Sequence, residues 1–200
     1  MEKRTESETI YSTPKEWLKL KLAPCKRFYY TERRGIDSVA GVLLSSCGNY
    51  IGLINETKPP FSEREGVMMS MKTSAIGGSL FDMVENSQVY LDMPENVKRK
   101  LAKETMLKEV KEETGYTPLS IFSANKIFNN SMSNEFVYGF IIEVDKEETP
   151  VPNPQTPGEA LITVKWFEIG TDITNEVQCG KALAILASHM ISYDPVMGKV

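Results

Sequence analysis

Three glutamates stand close together near the middle of the chain, just before a glycine. Glu109, Glu112 and Glu113 precede Gly115, and an α-helix would hold the three side chains within an arc of about 100°. Gly115 is typical of the left-handed residue that ends a helix, so we expect the acidic patch on the last turn, at the negative end of the helix dipole. The three carboxylates would repel one another and the helix end, and a bound cation would relieve this repulsion. Grouped carboxylates suit Mg²⁺ or Mn²⁺, which usually share phosphate oxygens of a substrate.

The segment around these glutamates resembles the second half of the Nudix box. Residues 108–116 read Lys-Glu-Val-Lys-Glu-Glu-Thr-Gly-Tyr, and the family pattern is Arg-Glu-apolar-X-Glu-Glu-X-Gly-apolar. Nudix proteins are hydrolases that cut a diphosphate linked to another moiety, using divalent metal held on this helix. The resemblance implies that Glu109 and Glu113 bind metal and that Glu112 is a further ligand or an outer-shell partner. Without it, a solvated Glu/Lys helix face would be the simpler interpretation.

The chain departs from the Nudix pattern in two ways. Lys108 replaces the family's arginine, and lysine lacks the planar fork that orients a neighbouring carboxylate. Pro94 and Lys100 stand where the contiguous box has Gly and Glu. Residues 75–82, Ala-Ile-Gly-Gly-Ser-Leu-Phe-Asp, look like the Pro-Ala-Gly-Leu-Ile-Asp segment of the ADP-ribose pyrophosphatase branch. This resemblance implies an insertion between loop and helix, around residues 83–104.

The two glycines of this segment are predicted to form a turn at the site. Glycine permits a close backbone approach to a metal ion or a phosphate. We therefore expect Gly78 to contact the substrate and a backbone carbonyl near Gly77 to complete the metal's coordination shell. The glutamate that replaces the upstream glutamate of the box is open among three candidates: Glu85, Glu95 and Glu104.

The helix that carries the glutamates is not expected to be straight. Pro94 is typical of a helix start, but the apolar phase of Val97 and Leu101 differs from that of Met106 and Val110. One straight helix cannot bury both stripes against one sheet. We infer either a kink or a front part that packs on a surface specific to the insertion.

Length and apolar content indicate one sizeable core. The chain has 200 residues, of which 41% are hydrophobic, and this allows a single domain. The Nudix resemblance implies an α/β (α+β) fold, a mixed β-sheet sandwiched between helices with an N-terminal β-strand extension. We assign residues 1–36 to the extension and 37–200 to the hydrolase domain. A hairpin turn can use Gly48 and Asn49 at positive φ. The apolar patterns predict strands at 38–44, 50–54, 119–123, 135–144 and 161–168 and a terminal helix at 181–193.

Net charge and hydropathy indicate which classes of partner are not expected for this chain. The net charge of −4 gives no electrostatic footprint for nucleic acid or an anionic membrane. No apolar run approaches the ~20 residues of a membrane span, and residues 1–8 lack a signal-peptide core. We expect a cytoplasmic protein. The odd number of cysteines fits reduced thiols, and the single histidine, His189, is predicted to be structural.

The N-terminal extension contains two short aromatic or alternating segments. Residues 17–22 alternate apolar and basic, and residues 27–31 are aromatic, so both are predicted to be strands. In the ADP-ribose pyrophosphatase branch, such strands pack across a dimer interface and their aromatics can stack on the nucleobase. The resemblance implies a homodimer with Phe28, Tyr29 or Tyr30 near the base. The alternative is that these aromatics fill the core.

The implied reaction is hydrolysis of a diphosphate. Metal ions held by Glu109, Glu112 and Glu113 would neutralise charge on the leaving phosphate. A loop glutamate in this family often supplies the final acid or base, and three are candidates: Glu135, Glu148 and Glu159. We rank Glu159 first because it follows Gly158 just before a strand. Arg64, in a loop that often holds substrate in related hydrolases, could contact a phosphate.

Several functions share these features. The leading prediction is cleavage of ADP-ribose or another nucleotide sugar to a nucleoside monophosphate and a sugar phosphate. A nucleoside triphosphate or dinucleotide hydrolase would use the same helix with a different pocket. A capped-RNA hydrolase is disfavoured by the acidic balance. Lys108 and the interrupted front half of the Nudix box favour a fourth hypothesis, an inactive Nudix-like binding module.

Overall fold

The described strands form two β-sheets. The computed structural model describes residues 7–13, 18–33, 37–57, 71–80, 87–128, 133, 135–155, 159–173, 176–177 and 179–192. An antiparallel sheet of order β1-β2-β3 contains Glu8–Ser12, Leu18–Leu22 and Tyr29–Arg33. The larger sheet contains β4 (Ser38–Ser45), β5 (Tyr50–Thr57), β6 (Met71–Ser74), β7 (Ile76–Ser79), β8 (Pro118–Phe128), β9 (Phe136–Val144) and β10 (Thr163–Glu168).

The larger sheet is mixed. Its strand order is β10-β5-β4-β9-β8, with β6 beside β5 and β7 beside β4. β4 and β9 run parallel, and the other pairs are antiparallel. Three α-helices are described besides a π-helical turn at Val110–Thr114 and a 3₁₀ turn at Glu159–Leu161. The helices are α1 (Ser87–Asp92), α2 (Glu95–Glu109) and α3 (Gly180–Ser192).

Helices cover both faces of the larger sheet. Val39 and Leu43 of β4 pack with Met106 of α2 in one core cluster. The alternate residues of β4 pack with Ile185 of α3 in a second cluster, as the period of two along a strand requires. The expected mixed sheet sandwiched between helices is therefore confirmed. Among the described helices, none combines the length and apolar character that a membrane crossing needs.

The glutamate helix changes form before it ends. α2 is α-helical up to Glu109 and then widens into the π turn. Val97 is exposed and Leu101 is partly buried against the core cluster, whereas Met106 and Val110 are fully buried. The helix is continuous between these two stripes, so the expected kink is absent there. The departure from α-helical form comes later, in the π turn at Val110–Thr114. Gly115 follows with φ 76°, which confirms the left-handed helix end.

Two turn predictions are wrong in detail. Gly77 and Gly78 lie inside β7, paired with Ala40 and Val39 of β4, because the backbone of this segment continues the sheet rather than reversing. Among the described residues, Gly48 has positive φ in the hairpin turn but Asn49 does not. A single left-handed residue is enough for this turn.

The N-terminal strands form a sheet of their own. The segments predicted at 17–22 and 27–31 are observed at Leu18–Leu22 and Tyr29–Arg33. Phe28 and Tyr29 expose 68% and 53% of their surface, so they do not fill the core. A parallel bridge between Thr31 and Ser133 joins this sheet to the rest of the protein.

We expect Gly115→Ala to destabilise the fold much more than Gly48→Ala. Both glycines are left-handed, so each alanine costs about 1–2 kcal/mol of backbone strain. A Cβ at Gly115 would also collide with the backbone of Val151 and Pro152, whereas one at Gly48 meets open space. Urea denaturation should show an additional loss of at least about 1 kcal/mol for Gly115→Ala. Equal losses would contradict the packing of the 151–152 backbone on the helix end.

Candidate functional site

Two glutamates of the helix end lie directly against β7. Glu109 occupies the last turn of α2, and its carboxylate fills the space that a side chain on Gly78 would need. Glu113 lies in the π turn, and its Oε2 accepts a hydrogen bond from the Gly77 N–H at 3.4 Å. The strand can approach Glu109 this closely because Gly78 carries no Cβ, whereas a Cβ on Gly77 would meet only the Val39 carbonyl oxygen.

Glu113 is surrounded by other carboxylates. Burial raises its pKa from an ordinary value near 4.5 to about 8, helped by the negative charges of Glu109, Glu56 and Glu159, while the Gly77 N–H opposes the rise. Burial is the largest cause of this rise, and the charges of the neighbouring carboxylates add to it. These four residues, Glu56, Glu109, Glu113 and Glu159, are called the glutamate cluster below.

Glu112 differs from its neighbours. Its carboxylate forms an ion pair with Lys108 at 3.5 Å, and its charge is not among the causes of the Glu113 shift. The sequence predicted that Glu109, Glu112 and Glu113 would aim at one point. The π turn changes the angular offset between these positions, so the structure brings Glu109 and Glu113 together and leaves Glu112 beside Lys108.

Sequence reasoning missed Glu56. This residue lies near the end of β5, opposite Lys72 of β6, and its Oε1 accepts a hydrogen bond from the Ser74 hydroxyl. The signal was present in the strand alternation: Glu56 shares the face of Ile54, and Ile54 packs in the same cluster as Met106 of α2. That face leads to the glutamate helix.

The three loop glutamates have different surroundings. Glu159 begins the 3₁₀ turn, accepts a hydrogen bond from the Gln155 N–H at 2.6 Å, and raises the pKa of Glu113. Glu148 accepts two hydrogen bonds from Thr117, which lower its pKa. Glu135 is only 2% exposed and accepts a hydrogen bond from the Ser38 hydroxyl at 2.5 Å. Only Glu159 belongs to the glutamate cluster.

The two described candidates for the upstream glutamate do not join the cluster. Glu95 pairs with Arg99 and Lys126, each at 3.3 Å. Glu104 lies 3.9 Å from Lys100. Glu85, the third candidate, and Arg64 fall outside the described residues. Glu56, from a different strand, is close enough for its charge to raise the pKa of Glu113.

A cavity of about 750 Å³ opens beside the glutamate cluster. Its lining includes Glu56 and Glu113, both glycines of β7, two lysines and one aromatic residue: Glu56, Lys72, Gly77, Gly78, Glu113, Phe128 and Lys181. Of the described residues that line it, none comes from the N-terminal sheet, so Phe28, Tyr29 and Tyr30 do not reach it within one chain. The volume is that of a typical small-molecule site.

The donor atoms of the site fit a hard divalent cation. Within the described ranges, no three side chains of His, Cys, Asp or Glu form a ready-made metal-holding group. The crowded carboxylates of Glu56, Glu109 and Glu113 are nevertheless oxygen donors alone, which suits Mg²⁺ or Mn²⁺, and a cation would offset the charge that raises the pKa of Glu113. Gly77 contacts the cluster through its N–H, so the carbonyl role stays a prediction.

Without metal, the protein should lose stability as pH rises from about 5 to 8. The folded state keeps a proton on Glu113 that the unfolded chain has released over this range. The free energy of unfolding therefore falls with pH, by at most about 1.4 kcal/mol per unit. Urea denaturation with EDTA would measure the slope. Glu113→Gln should flatten it and Glu148→Gln should not, and an unchanged slope in Glu113→Gln would contradict the crowding.

Comparisons with known proteins support the fold. Neither a protein-family model nor a curated protein sequence matches the chain. The structure is similar to a crystal structure of an ADP compounds hydrolase, with a TM-score of 0.54 and 14% sequence identity, over 98% of this chain and 95% of that one. At this identity the likeness concerns the fold alone. The chain thus has a mixed α+β architecture, a large mixed sheet with a few helices, consistent with a Nudix-like fold.

Proposed function

We propose that this protein is a metal-dependent hydrolase that cleaves the diphosphate of a nucleoside diphosphate linked to another moiety, with ADP-ribose or another nucleotide sugar as the substrate. The glutamate cluster, of which Glu56 and Glu113 line the cavity, is the observation that carries this proposal, because grouped carboxylates beside lysines suit a metal-bound phosphate. The likeness to an ADP compounds hydrolase agrees with it. The products would be a nucleoside monophosphate and a sugar phosphate.

The protein's own residues would divide the work. Glu109 and Glu113, with Glu56 beside them, would hold Mg²⁺, which supplies charge neutralisation at the diphosphate and activation of water. The Gly77 N–H keeps Glu113 in place. Glu159, whose charge reaches Glu113, would accept the proton of the attacking water. Lys72 and Lys181, both in the cavity wall, would offset the remaining phosphate charge.

A homodimer is part of the proposal. The N-terminal sheet exposes several large apolar residues: Ile10, Tyr11, Leu18, Phe28 and Tyr29. Exposed apolar patches of this kind commonly mark protein interfaces. A second copy would cover this sheet, and the aromatics of one protomer, including Tyr30, would then lie near the base bound in the other. Arg64 remains a proposed phosphate contact on the evidence of the sequence alone.

An inactive binding module is the second candidate. The observation that favours it is the ion pair between Lys108 and Glu112, because it occupies a carboxylate that the resemblance assigns to metal. Such a module would bind nucleotide sugars without metal-dependent turnover. Cleavage of a nucleoside triphosphate or a dinucleotide, the other alternative, differs only in the substrate that the cavity accepts.

We expect Glu109→Gln and Glu113→Gln each to reduce kcat by at least about 100-fold, because each removes a charged metal ligand. Phosphate released from ADP-ribose with Mg²⁺, after coupling to alkaline phosphatase, measures turnover. Glu148→Gln is the matched control: this carboxylate bonds Thr117 and should leave activity unchanged. Full activity in Glu113→Gln, or wild-type turnover with excess EDTA, would refute the proposal. Metal-independent binding without turnover would identify the inactive module.

The two glycines of β7 provide a second test. A Cβ on Gly78 would displace the Glu109 carboxylate, whose Cγ would lie 2.5 Å away, whereas a Cβ on Gly77 would meet only the Val39 carbonyl oxygen at 3.5 Å. Gly78→Ala should therefore raise the Mg²⁺ concentration needed for half-maximal activity by about tenfold or more. Gly77→Ala should change it little. Both variants should fold, because Glu109 can rotate, and equal effects would show that Glu109 does not act from this position.

A further inference from the structure

Phe128 is an unusual residue for its position. It ends β8, lines the same cavity as Glu113 and Gly78, and leaves 51% of its surface exposed. The lining also contains Val39 and Ile76, but both are buried. An exposed phenyl group in such a wall keeps its apolar surface in water unless a flat ligand covers it.

Neighbouring side chains hold the Phe128 ring. Phe136, its cross-strand partner on β9, meets it edge to face with ring centroids 5.5 Å apart. The Lys126 ammonium lies 4.6 Å from the centroid of Phe136 and is itself paired with Glu95. These contacts support Phe136 from the side of α2. Phe128 is therefore a supported ring with an open surface, which is the arrangement that a stacking platform needs.

The sheet separates Phe128 from the glutamate cluster by a definite distance. The strand order from Phe128 to the glycines is β8, β9, β4 and β7. Three strand spacings of about 4.8 Å amount to roughly 14 Å. Both ends belong to one cavity. A ligand with a flat group at one end and phosphates at the other can span this distance through a sugar and a diphosphate.

We propose that Phe128 is the platform on which the nucleobase of the substrate stacks, with the diphosphate extending along the cavity to Glu113 and Gly78. This inference rests on the proposed function for the identity of the phosphate end. It assigns the base contact within one chain to Phe128. The N-terminal aromatics would then contribute, if at all, from the second protomer.

Phe122 is the matched control. It lies on the same strand and is 52% exposed, but it lines a second cavity of about 490 Å³ that contains none of the glutamate cluster. Substitutions at Phe122 and Phe128 thus remove the same side chain from the same strand at equal exposure. They affect different cavities, and Phe128 alone of the two packs on Phe136.

Tryptophan at each position reports stacking directly. The tryptophan fluorescence of Phe128→Trp and Phe122→Trp is measured during titration with AMP or ribose 5-phosphate in the presence of EDTA. The same titrations of the wild type correct for the native tryptophans, Trp17 and Trp166. AMP should quench the emission of Phe128→Trp because adenine stacks on the indole, and ribose 5-phosphate should not. Phe122→Trp should respond as the wild type does. Equal responses of the two variants to AMP would overturn the inference.

Kinetics with ADP-ribose give an independent readout. Phe128→Ala should raise KM about tenfold, as expected for loss of one base stack, with kcat within about twofold because the base is remote from the reacting phosphorus. Phe128→Trp should restore KM, and Phe122→Ala should leave both constants unchanged. A loss of kcat with unchanged KM would overturn the inference.

The two experiments separate this inference from the proposed function. AMP binding at Phe128→Trp without wild-type turnover of ADP-ribose or of other nucleotide sugars would sustain the stacking platform and refute the hydrolase. Wild-type turnover with unaltered kinetics in Phe128→Ala would sustain the hydrolase and refute the platform. The AMP titration needs no metal and no catalysis, so its result stands whichever way the turnover assay falls.

Discussion

The close approach of two glutamates to the two glycines of β7 determines the rest of the site. Glu109 fills the space beside Gly78, and Glu113 accepts the Gly77 N–H. This contact places carboxylates in a partly dehydrated position beside one another, which costs free energy. The cost is offset elsewhere on the same helix, since Ala102 and Met106 are fully buried in the core. Burial of one face of α2 thus holds its acidic end against the sheet.

The helix end divides its glutamates between two partners. The π turn widens the angle between Glu109 and Glu112 relative to an α-helix, whereas Glu109 and Glu113 stay on one side of it. Glu113 therefore reaches Gly77, while Glu112 pairs with Lys108. Lys108 therefore has a local role that an arginine would fill differently, because lysine offers a point charge rather than a planar fork. Lys108, the residue that departs from the Nudix pattern, and Glu112 are thus the two partners of one ion pair.

Local sequence features were sufficient to predict the helix end and the buried strands of the site, but not all of the residues that meet there. Gly115 ends the helix as its freedom at positive φ indicates, and the buried strands follow the apolar runs. Gly77 and Gly78 were misassigned to a turn because glycine is ambiguous between a turn and a strand that something approaches closely. Glu56 reaches the cluster from β5 through the tertiary fold alone. No sequence spacing predicts that Glu56 lies near Glu113, and the strand face that Glu56 shares with Ile54 is the one local indication of it.

The short helix α1 is tied by hydrogen bonds to strands beside the cavity. Tyr90, on α1, donates a hydrogen bond to Asp37 Oδ2 at 2.6 Å, and Asp37 also accepts the Phe136 N–H at 3.0 Å and, through its backbone oxygen, the Leu80 N–H at 3.2 Å. Burial raises the pKa of Tyr90 far above its usual range, so its hydroxyl remains a donor at any physiological pH. Leu80 follows β7, and Phe136 begins β9 and supports Phe128. Asp37 therefore links the end of β7, through its backbone oxygen, to α1 and the start of β9, through its carboxylate. The proposed substrate would need a constant separation between these strands, and α1 helps to fix it.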